Sequence, residues 1–180
     1  MALDLPPEVR ARLAVWRDGL VARRDDLRPV AEEALHVTLA FLGYRPAREA
    51  AAIAEAMTAA TAAEAPLLAP GAVVPVPPRR ARLFALDLDD TEGACARIQQ
   101  AVSDALEAGR FYRPEKRPFW PHVTLARVKR DRRAAPLPAE PPPIDPFRAG
   151  RITLYRSTLH PQGAVYDALA GSELDGRRRG

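Results

Sequence analysis

Only one cysteine, Cys95, occurs among the 180 residues, so the chain cannot form an internal disulfide and is typical of a protein from a reducing cytoplasm. The sequence also lacks an apolar run long enough to span a bilayer, and it has no basic segment followed by an apolar one at its start. We therefore expect neither a membrane anchor nor an export signal. The length suits one globular unit or two small docked lobes.

Three kinds of reactive site are missing as well. No cluster of His, Cys, Asp and Glu has the spacing of metal ligands, no glycine-rich phosphate loop is present, and no Gly-x-Ser-x-Gly motif occurs. The charge is biased towards positive, with 27 Lys and Arg against 23 Asp and Glu. This excess favours an anionic partner such as a phosphate or a nucleic acid, but ordinary surface charge accounts for it equally well.

A pentapeptide that occurs twice is the most informative feature of the chain. The segment His36-Val37-Thr38-Leu39-Ala40 returns as His122-Val123-Thr124-Leu125-Ala126, and each copy is preceded by Ala-Leu-Asp-Leu, at residues 2–5 and 85–88. The order within each unit is the same, because a short apolar segment and a helical stretch come before the His-x-Thr. We read this as a duplication within a single bilobal domain over residues 1–180, with pseudo-repeats of about 1–80 and 81–180.

Hydrophobic periodicity and proline positions predict the elements around the two copies. We expect His-x-Thr strands over residues 34–41 and 119–129, each preceded by an amphipathic helix, an alanine-rich helix over residues 46–63, and a closing hairpin around residues 161–163. Five prolines between residues 66 and 78 predict at best an irregular or edge strand over Leu67–Val76. Six prolines in residues 134–146 predict a loop without regular structure, and the final arginines predict a frayed tail.

Alternate side chains of a β-strand point to the same face, and this determines which side chains of each copy lie together. His36 and Thr38 share one face, His122 and Thr124 share the equivalent face, and the apolar residues between them point the other way. If the two units pack about a pseudo-twofold axis, two imidazoles and two hydroxyls meet across one cleft. One imidazole then takes a proton from an attacking hydroxyl or water while the other gives one to the leaving oxygen of a phosphodiester.

A single His-x-Thr on an apolar strand most often belongs to a structural histidine that is hydrogen-bonded within the fold. Two identical copies in matching contexts favour function, because a structural histidine has little reason to be matched in both halves. The third histidine, His160, lies beside a Pro-Gln-Gly turn and is predicted to be a surface residue. We therefore take His36 and His122 as the candidate catalytic residues and expect no metal and no cofactor.

The paired motifs and their flanks resemble the 2H phosphoesterases, which are named for two His-x-Ser/Thr-x motifs. Within that superfamily the chain is most similar to the RNA 2′,3′-cyclic phosphodiesterases, also called LigT-type 2′-5′ RNA ligases. The Phe-Leu-Gly after the first motif and the Pro-His-x-Thr-Leu-x-Arg around the second narrow the resemblance to this branch. The resemblance covers nearly the whole chain through residues 2–6, 36–43, 119–127 and 154–166.

The resemblance implies an α+β fold of two lobes, each an antiparallel sheet with helices outside, and the two sheets facing a central cleft. It also implies opening of an RNA 2′,3′-cyclic phosphate to a 2′-phosphate without metal or ATP, with reversible 2′-5′ RNA ligation as a related activity. By position, His36 would donate a proton to the 3′ leaving oxygen, and His122 would be the base that activates water. Thr38 and Thr124 would hold the non-bridging oxygens. Family members begin with several more apolar residues before Ala-Leu-Asp-Leu, so we expect a short first strand or a start upstream of Met1.

Three further residues are candidates for substrate binding. Arg127 matches a phosphate or substrate contact of the family, but strand parity places it on the face opposite His122, so either a bulge turns it back or it is a solvated arginine. Phe41 holds the equivalent place in the first copy. Its ring either lies beneath a bound nucleobase or, as we favour, packs in the core. Trp120 shares the parity of His122 and is placed to stack on a nucleobase at the rim of the cleft.

Two other functions are compatible with the sequence. One is a nucleotide- or RNA-end-binding module without turnover, although a pure binder does not need two proton-transfer groups. The other is an enzyme of the same superfamily that acts on a small cyclic nucleotide or on ADP-ribose 1″,2″-cyclic phosphate. The expected partner is RNA with a 2′,3′-cyclic phosphate end or a cyclic nucleotide, bound by a monomeric chain without a membrane.

Overall fold

The computed structural model describes residues 1–58, 63–160 and 163–174. Within these residues the chain forms three α-helices and nine β-strands. The helices are α1 (Pro7–Val21), α2 (Ala50–Met57) and α3 (Ala94–Ala108). The strands are β1 (Ala2–Asp4), β2 (Leu27–Pro29), β3 (His36–Thr38), β4 (Leu67–Val76), β5 (Leu83–Asp89), β6 (His122–Val128), β7 (Phe147–Arg148), β8 (Arg151–His160) and β9 (Gly163–Glu173).

The strands of the described residues pair antiparallel in the order β7-β4-β5-β6-β3-β1-β8-β9, and β2 also pairs with β6. This order is symmetric about the junction of β3 and β6. On one side β3 is followed by β1, β8 and β9, and on the other side β6 is followed by β5, β4 and β7. The α+β class with antiparallel strands is confirmed, and Val37 on β3 pairs with Val123 on β6 to join the halves edge to edge.

The two halves of the sheet do not follow the order of the chain. Strand β4 lies before residue 80 but pairs with β5, whereas β8 pairs with β1 at the other end of the sequence. Each half of the sheet therefore contains strands from both sides of residue 80. The division into pseudo-repeats near residue 80 describes the repeated segments of the sequence. It does not coincide with a boundary between two separate sheets.

The core is a single cluster of apolar side chains to which the sheet and all three helices contribute. Leu13 of α1, Ile53 of α2 and Ile98 of α3 are each buried in it, and so are Val37 and Val123 at the junction of the halves. Full burial of an aliphatic side chain contributes about 1.5–3 kcal/mol. The alternation predicted for the two His-x-Thr strands therefore holds where they meet, and it fixes the opposite face for the polar residues. No helix of the described residues is both long and apolar enough to cross a membrane.

The proline-rich segments behave differently from one another. Residues 134–146 contain no helix or strand, as their prolines predict, and β8 and β9 form the predicted closing hairpin. The irregularity of Leu67–Val76 is confirmed by a register shift between Pro70 and Val73. On one side β4 pairs with β5 along its length, and on the other side it pairs with β7 at Leu67 and Leu68 only, so within the described strands the rest of β4 is an edge, as the second alternative predicts. The end of the predicted helix over residues 46–63 and the arginine tail lie outside the described residues.

Candidate active site

The four polar side chains of the repeated motif meet on one face of the sheet, where β3 lies beside β6. Because Val37 is opposite Val123, the antiparallel register puts each histidine opposite a threonine of the other strand. The two pairs are His36 with Thr124 and Thr38 with His122. Directly opposite residues are ~5 Å apart and diagonal residues roughly 7–8 Å apart. The two histidines are therefore diagonal neighbours on this face of the sheet.

Strands β1 and β5 extend these pairs into two rows of four residues. Asp4 of β1 is opposite His36, and Asp87 of β5 is opposite His122. Alanines from the same two strands complete the rows on the far side of the threonines. One row is Asp4, His36, Thr124 and Ala85, and the other is Asp87, His122, Thr38 and Ala2. The rows are related by a twofold axis through the valine pair, which is the pseudo-symmetry that the sequence repeat predicts.

A cavity of about 580 Å³ opens on this face, within the usual size range of small-molecule sites. Its lining includes His36, Thr38 and Thr124 from the two rows. His122 is not part of the lining, although its register places it next to Thr38. His160 is exposed, as predicted, and it also lines the cavity, since the hairpin of β8 and β9 forms one wall.

A β-bulge brings Arg127 to the same cavity. Between Thr124 and Ala126, strand β6 has one residue more than its partner β5, and this extra residue is Leu125. Leu125 and Ala126 are both fully buried, so the alternation of faces shifts by one position after the bulge. Arg127 consequently lines the cavity together with Thr124, which agrees with the first of the two alternatives that parity left open.

Aromatic rings enclose His36. Its ring is stacked with Tyr155 of β8, with centroids 5.7 Å apart and planes inclined by 15°, and Tyr166 of β9 packs edge-on at 5.1 Å. The Nδ1 atom of His36 is buried and has no hydrogen-bond partner among the described residues. Burial, and to a lesser extent the charge of the N-terminal amine, lowers the pKa of His36 to about 4. This imidazole is therefore neutral at pH 7 in the free protein.

His122 is held by a hydrogen bond and a stacked indole. Its Nδ1 lies 2.8 Å from the main-chain oxygen of Trp120, and since a carbonyl oxygen only accepts, this nitrogen carries the proton. The indole of Trp120 stacks on the imidazole, with centroids 4.2 Å apart and planes inclined by 16°. In the neutral imidazole, Nε2 is therefore the atom that can accept a proton.

Two residues that the sequence proposed as substrate contacts do not line the cavity. Trp120 uses one ring face for His122, and its indole Nε1 donates a hydrogen bond of 2.6 Å to Asp87. The preferred expectation that Phe41 packs in the core is wrong, because its side chain is 75% exposed. The physical reason is that β3 ends at Thr38, so the alternation used to place Phe41 does not extend to that residue.

Sequence reasoning did not single out several residues near the site, among them Asp4, Asp87 and Arg28. Asp4 accepts a hydrogen bond of 2.9 Å from the hydroxyl of Tyr155, and Arg28 lines the cavity. The signal for the two aspartates was present, because the echoed Ala-Leu-Asp-Leu segments contain them. No motif marks Arg28.

The site combines two imidazoles in different surroundings with hydroxyls and guanidinium groups. Among the described residues, no group of three or more His, Cys, Asp or Glu side chains is placed to hold a metal ion. A neutral imidazole on one side of a bound anion and a second imidazole on the other side can move protons to and from it. The positive charge of the arginines favours an anionic ligand between them.

Comparison of the sequence with known proteins gives one family. The model of the 2′-5′ RNA ligase superfamily matches residues 5–161. A protein of Thermus thermophilus named RNA 2′,3′-cyclic phosphodiesterase is 33% identical over 193 residues, which cover 97% of this chain and 89% of that protein. A protein of Aeropyrum pernix with the same name is 30% identical over 163 residues, which cover 88% of this chain and 92% of that protein.

Solved structures give the same result for the fold. A crystal structure from Thermus thermophilus superposes with a TM-score of 0.78 at 28% identity, over 98% of this chain and 97% of that chain. The structure of E. coli LigT in complex with 3′-AMP superposes with a TM-score of 0.72 at 25% identity, over 96% of this chain and 95% of that chain.

Proposed function

The chain belongs to the 2′-5′ RNA ligase superfamily, and on that premise we propose that it is an RNA 2′,3′-cyclic phosphodiesterase that works by two-histidine acid–base catalysis. The observation that carries the proposal is the pair of rows in which each histidine lies beside the threonine of the other repeat. The product is an RNA end with a 2′-phosphate and a free 3′-hydroxyl. The enzyme acts as a monomer, and its single cysteine favours the cytoplasm as its location.

In the proposed reaction, His122 is the base. Its Nδ1–H donates to the carbonyl oxygen of Trp120, so Nε2 is free to take a proton from water. The water oxygen forms a bond to phosphorus as the bond between phosphorus and the 3′ oxygen breaks. His36 gives its proton to that 3′ oxygen. In 2′-5′ ligation the 5′-hydroxyl of a second RNA strand would take the place of water, and the same two histidines would act.

The threonines and Arg127 are the groups proposed to hold the phosphate. Each threonine lies directly opposite one histidine, and this supports a role for its hydroxyl as a donor to a non-bridging oxygen of the phosphate. Arg127 lies further along β6, on the same side of the cavity as Thr124. Its positive charge offsets the negative charge that accumulates on the phosphate oxygens in the transition state.

The acid role requires His36 to be protonated, whereas burial holds its pKa at about 4 in the free protein. An anionic phosphate beside the ring favours the imidazolium and raises this pKa in the complex. We therefore expect the pH profile of kcat/KM, which reports the free enzyme, to have a limb near pH 4 that moves to higher pH in the profile of kcat. Profiles with no inflection below about pH 5 would show that burial does not lower the pKa of His36 in the free enzyme.

The proposed activity is tested with a short RNA that carries a 2′,3′-cyclic phosphate end. We expect opening to a 2′-phosphate, which chromatography against 2′- and 3′-phosphate standards identifies. Formation of a 3′-phosphate would mean that the bond between phosphorus and the 2′ oxygen breaks, and not the bond to the 3′ oxygen as proposed. Tight binding of the RNA end without any product would favour the binding module instead.

Removal of metal ions should leave the activity unchanged, since two imidazoles and the arginines supply every charge and proton in the proposed step. The measurement is the initial rate after dialysis against EDTA, compared with the rate after mock dialysis. A loss that added zinc or magnesium restores would contradict the proposed mechanism.

A small cyclic nucleotide is the second candidate substrate, because the cavity of about 580 Å³ is large enough for a mononucleotide. RNA differs from it in the number of phosphates that it presents to arginines around the site. We expect the affinity for RNA to fall steeply between 50 and 200 mM salt and the KM of a cyclic mononucleotide to change far less. An equal salt dependence for both substrates would favour the small molecule as the natural one.

A further inference from the structure

Two aspartates stand beside the histidines and have no part in the proposed proton transfers. Asp4 of β1 is opposite His36, and Asp87 of β5 is opposite His122. Both side chains are partly buried. A carboxylate that is withdrawn from water is costly unless hydrogen bonds compensate it, so the partners of each carboxylate show what it holds in place.

Neither carboxylate binds the histidine beside it. Asp4 accepts hydrogen bonds from the hydroxyls of Tyr155 and Thr153, at 2.9 and 2.6 Å. Asp87 accepts one from the indole Nε1 of Trp120, at 2.6 Å. No hydrogen bond or ion pair joins either carboxylate to an imidazole among the contacts of the described residues. The aspartates therefore do not fix the histidine tautomers by direct contact.

Each carboxylate instead holds the aromatic ring that stacks on the histidine of its own row. The ring centroids are 5.7 Å apart for Tyr155 and His36, and 4.2 Å apart for Trp120 and His122. The two rings come from different places in the chain. In the first copy of the motif, the position that corresponds to Trp120 is occupied by Ala34, and β8 supplies the ring. The same order of contacts, from carboxylate to aromatic ring to imidazole, is thus reached with unrelated aromatic residues.

Trp120 holds His122 in two ways. Its main-chain oxygen accepts from Nδ1 of the imidazole at 2.8 Å, and its indole covers one face of the ring. Trp120 itself lies outside β6, which begins at His122, so the ladder of the sheet does not fix it. Strand β5 fixes it instead, because Asp87 binds the indole and the main-chain N–H of Leu88 donates to the oxygen of Pro121 at 3.1 Å.

The packing of β4 confines the carboxylate of Asp87. The register of β4 against β5 shifts between Pro70 and Val73, and the shifted segment contains Gly71. A Cβ at residue 71 would lie 3.3 Å both from Oδ2 and from the main-chain oxygen of Asp87, which is closer than ordinary van der Waals contact. A glycine therefore suits this position, and the carboxylate lies between the main chain of β4 and the indole that it binds.

We infer that Asp4 and Asp87 are positioning residues, which fix the orientation of the two imidazoles through the aromatic rings that they bind. The inference rests on the proposed function, because the orientation of an imidazole affects the rate only if the ring moves a proton. In the second half, the carboxylate fixes the indole, and the indole with its main-chain oxygen fixes His122. In the first half, burial and then the charge and hydrogen bond of Asp4 raise the pKa of Tyr155, so its hydroxyl stays protonated as a donor.

The half that contains Asp87 allows the sharper test, since two substitutions separate the contact from the charge. Asp87→Ala removes the acceptor, whereas Asp87→Asn loses the charge but keeps an oxygen that accepts from Trp120. Misplacement of a reacting group by about 1 Å costs up to 100-fold, so we expect Asp87→Ala to lower kcat by about 10- to 100-fold with little change in KM. Asp87→Asn should retain most of the rate. Equal losses in the two variants would mean that the charge acts on His122 directly, and they would overturn the inference.

Asp89→Asn is the matched control. Asp89 is the last residue of β5, two positions after Asp87, and it is exposed and does not line the cavity. The variant removes one negative charge from the same strand, as Asp87→Asn does, and it should leave kcat unchanged. A loss as large as that of Asp87→Ala would show that the charge of β5, and not the contact with the indole, determines the rate.

Substitution of the aromatic residues tests the same contacts from the other side. Trp120→Phe keeps a ring against His122 but lacks the N–H that the carboxylate binds, so kcat should fall. Adding Asp87→Ala to it should cost nothing more, because both changes remove one contact, and additive losses would contradict this. Tyr155→Phe should lower kcat by less than Trp120→Phe, since Tyr166 also packs against His36. A Tyr155→Phe enzyme with the wild-type kcat would overturn the inference at Asp4.

A measurement without turnover shows whether the imidazole has moved. An indole stacked on His122 shifts the NMR signals of the ring protons of this histidine upfield, and the chain has only three histidines, so His122→Ala identifies these signals. Asp87→Ala should abolish most of the shift, and Asp87→Asn should preserve it.

The two kinds of failure are distinct. If wild-type protein with the shifted signals does not hydrolyse the cyclic phosphate, the proposed function is wrong. If the wild type is active and Asp87→Ala keeps both the shifted signals and the wild-type kcat, the positioning role is wrong. A lower melting temperature without a change in kcat per folded molecule would also overturn the inference, because the carboxylate would then only support the fold.

Discussion

Alanine at His36 or at His122 should lower the rate of cyclic phosphate hydrolysis by about 10²–10⁴-fold, because in the proposed mechanism each imidazole supplies one of the two proton transfers. The measurement is the rate of 2′-phosphate formation at saturating RNA. The double variant should be little worse than either single one, since both groups act in the same step. The register that pairs Val37 with Val123 makes the two rings diagonal neighbours on one face of the sheet, as the proposed mechanism requires.

His160→Ala is the comparison for this experiment, since His160 is exposed at the wall of the cavity and lies outside both rows. We expect a far smaller loss from it. Melting curves of all variants must stay close to that of the wild type for the rates to be compared. If His36→Ala or His122→Ala turns over at a near-normal rate while folded, the two-histidine assignment is wrong.

Replacement of the 3′ oxygen of the cyclic phosphate by sulfur should restore most of the activity of His36→Ala and none of that of His122→Ala. A thiolate leaves without prior protonation far more readily than an alkoxide, so the acid becomes dispensable. The base is still needed, because water must lose its proton in either substrate. The expected recovery is therefore most of the 10²–10⁴-fold loss, estimated above for removal of the acid.

The same substrate distinguishes the other assignments. Recovery in His122→Ala alone would mean that the roles of the two imidazoles are reversed. This outcome has a physical basis, because burial lowers the pKa of His36 to about 4 and so leaves this imidazole neutral at pH 7 in the free protein. Recovery in neither variant would mean that His36 binds the phosphate and transfers no proton. The wild-type rate on both substrates is the reference in each case.

The sequence predicts the faces of the two motifs because the two-residue period of a strand is a property of the backbone alone. His36 and Thr38 could be assigned to one face, and Val37 to the other, without knowledge of any partner strand. Arg127 could not, because the bulge at Leu125 exists only in relation to β5. To find the face of Arg127, the two-residue alternation must be counted through Leu125, and only the pairing with β5 shows that Leu125 is an extra residue.

The residues that surround the histidines could not be predicted from the sequence for a related reason. Asp4 is 32 positions from His36 in the sequence, and only the pairing of β1 with β3 places the two side by side. Tyr155 is further away still and reaches Asp4 because β8 pairs with β1. Phe41 shows the opposite error, since a local pattern was extended past Thr38, where the strand had already ended. Contacts across strands need the topology, which no local pattern contains.

The exchange of strands between the halves has a consequence for the order in which the protein can assemble as it is synthesised. The partners of His122 in the ladder from β4 to β7 come from one stretch of chain, residues 67–148. His36 depends on β1, and the contact of Asp4 with Tyr155 joins residues 151 positions apart. Closing so long a loop is entropically costly, and its partner emerges from the ribosome late. A nascent chain is therefore expected to complete the surroundings of His122 first, and to gain the aromatic enclosure of His36 only when β8 and β9 have been made.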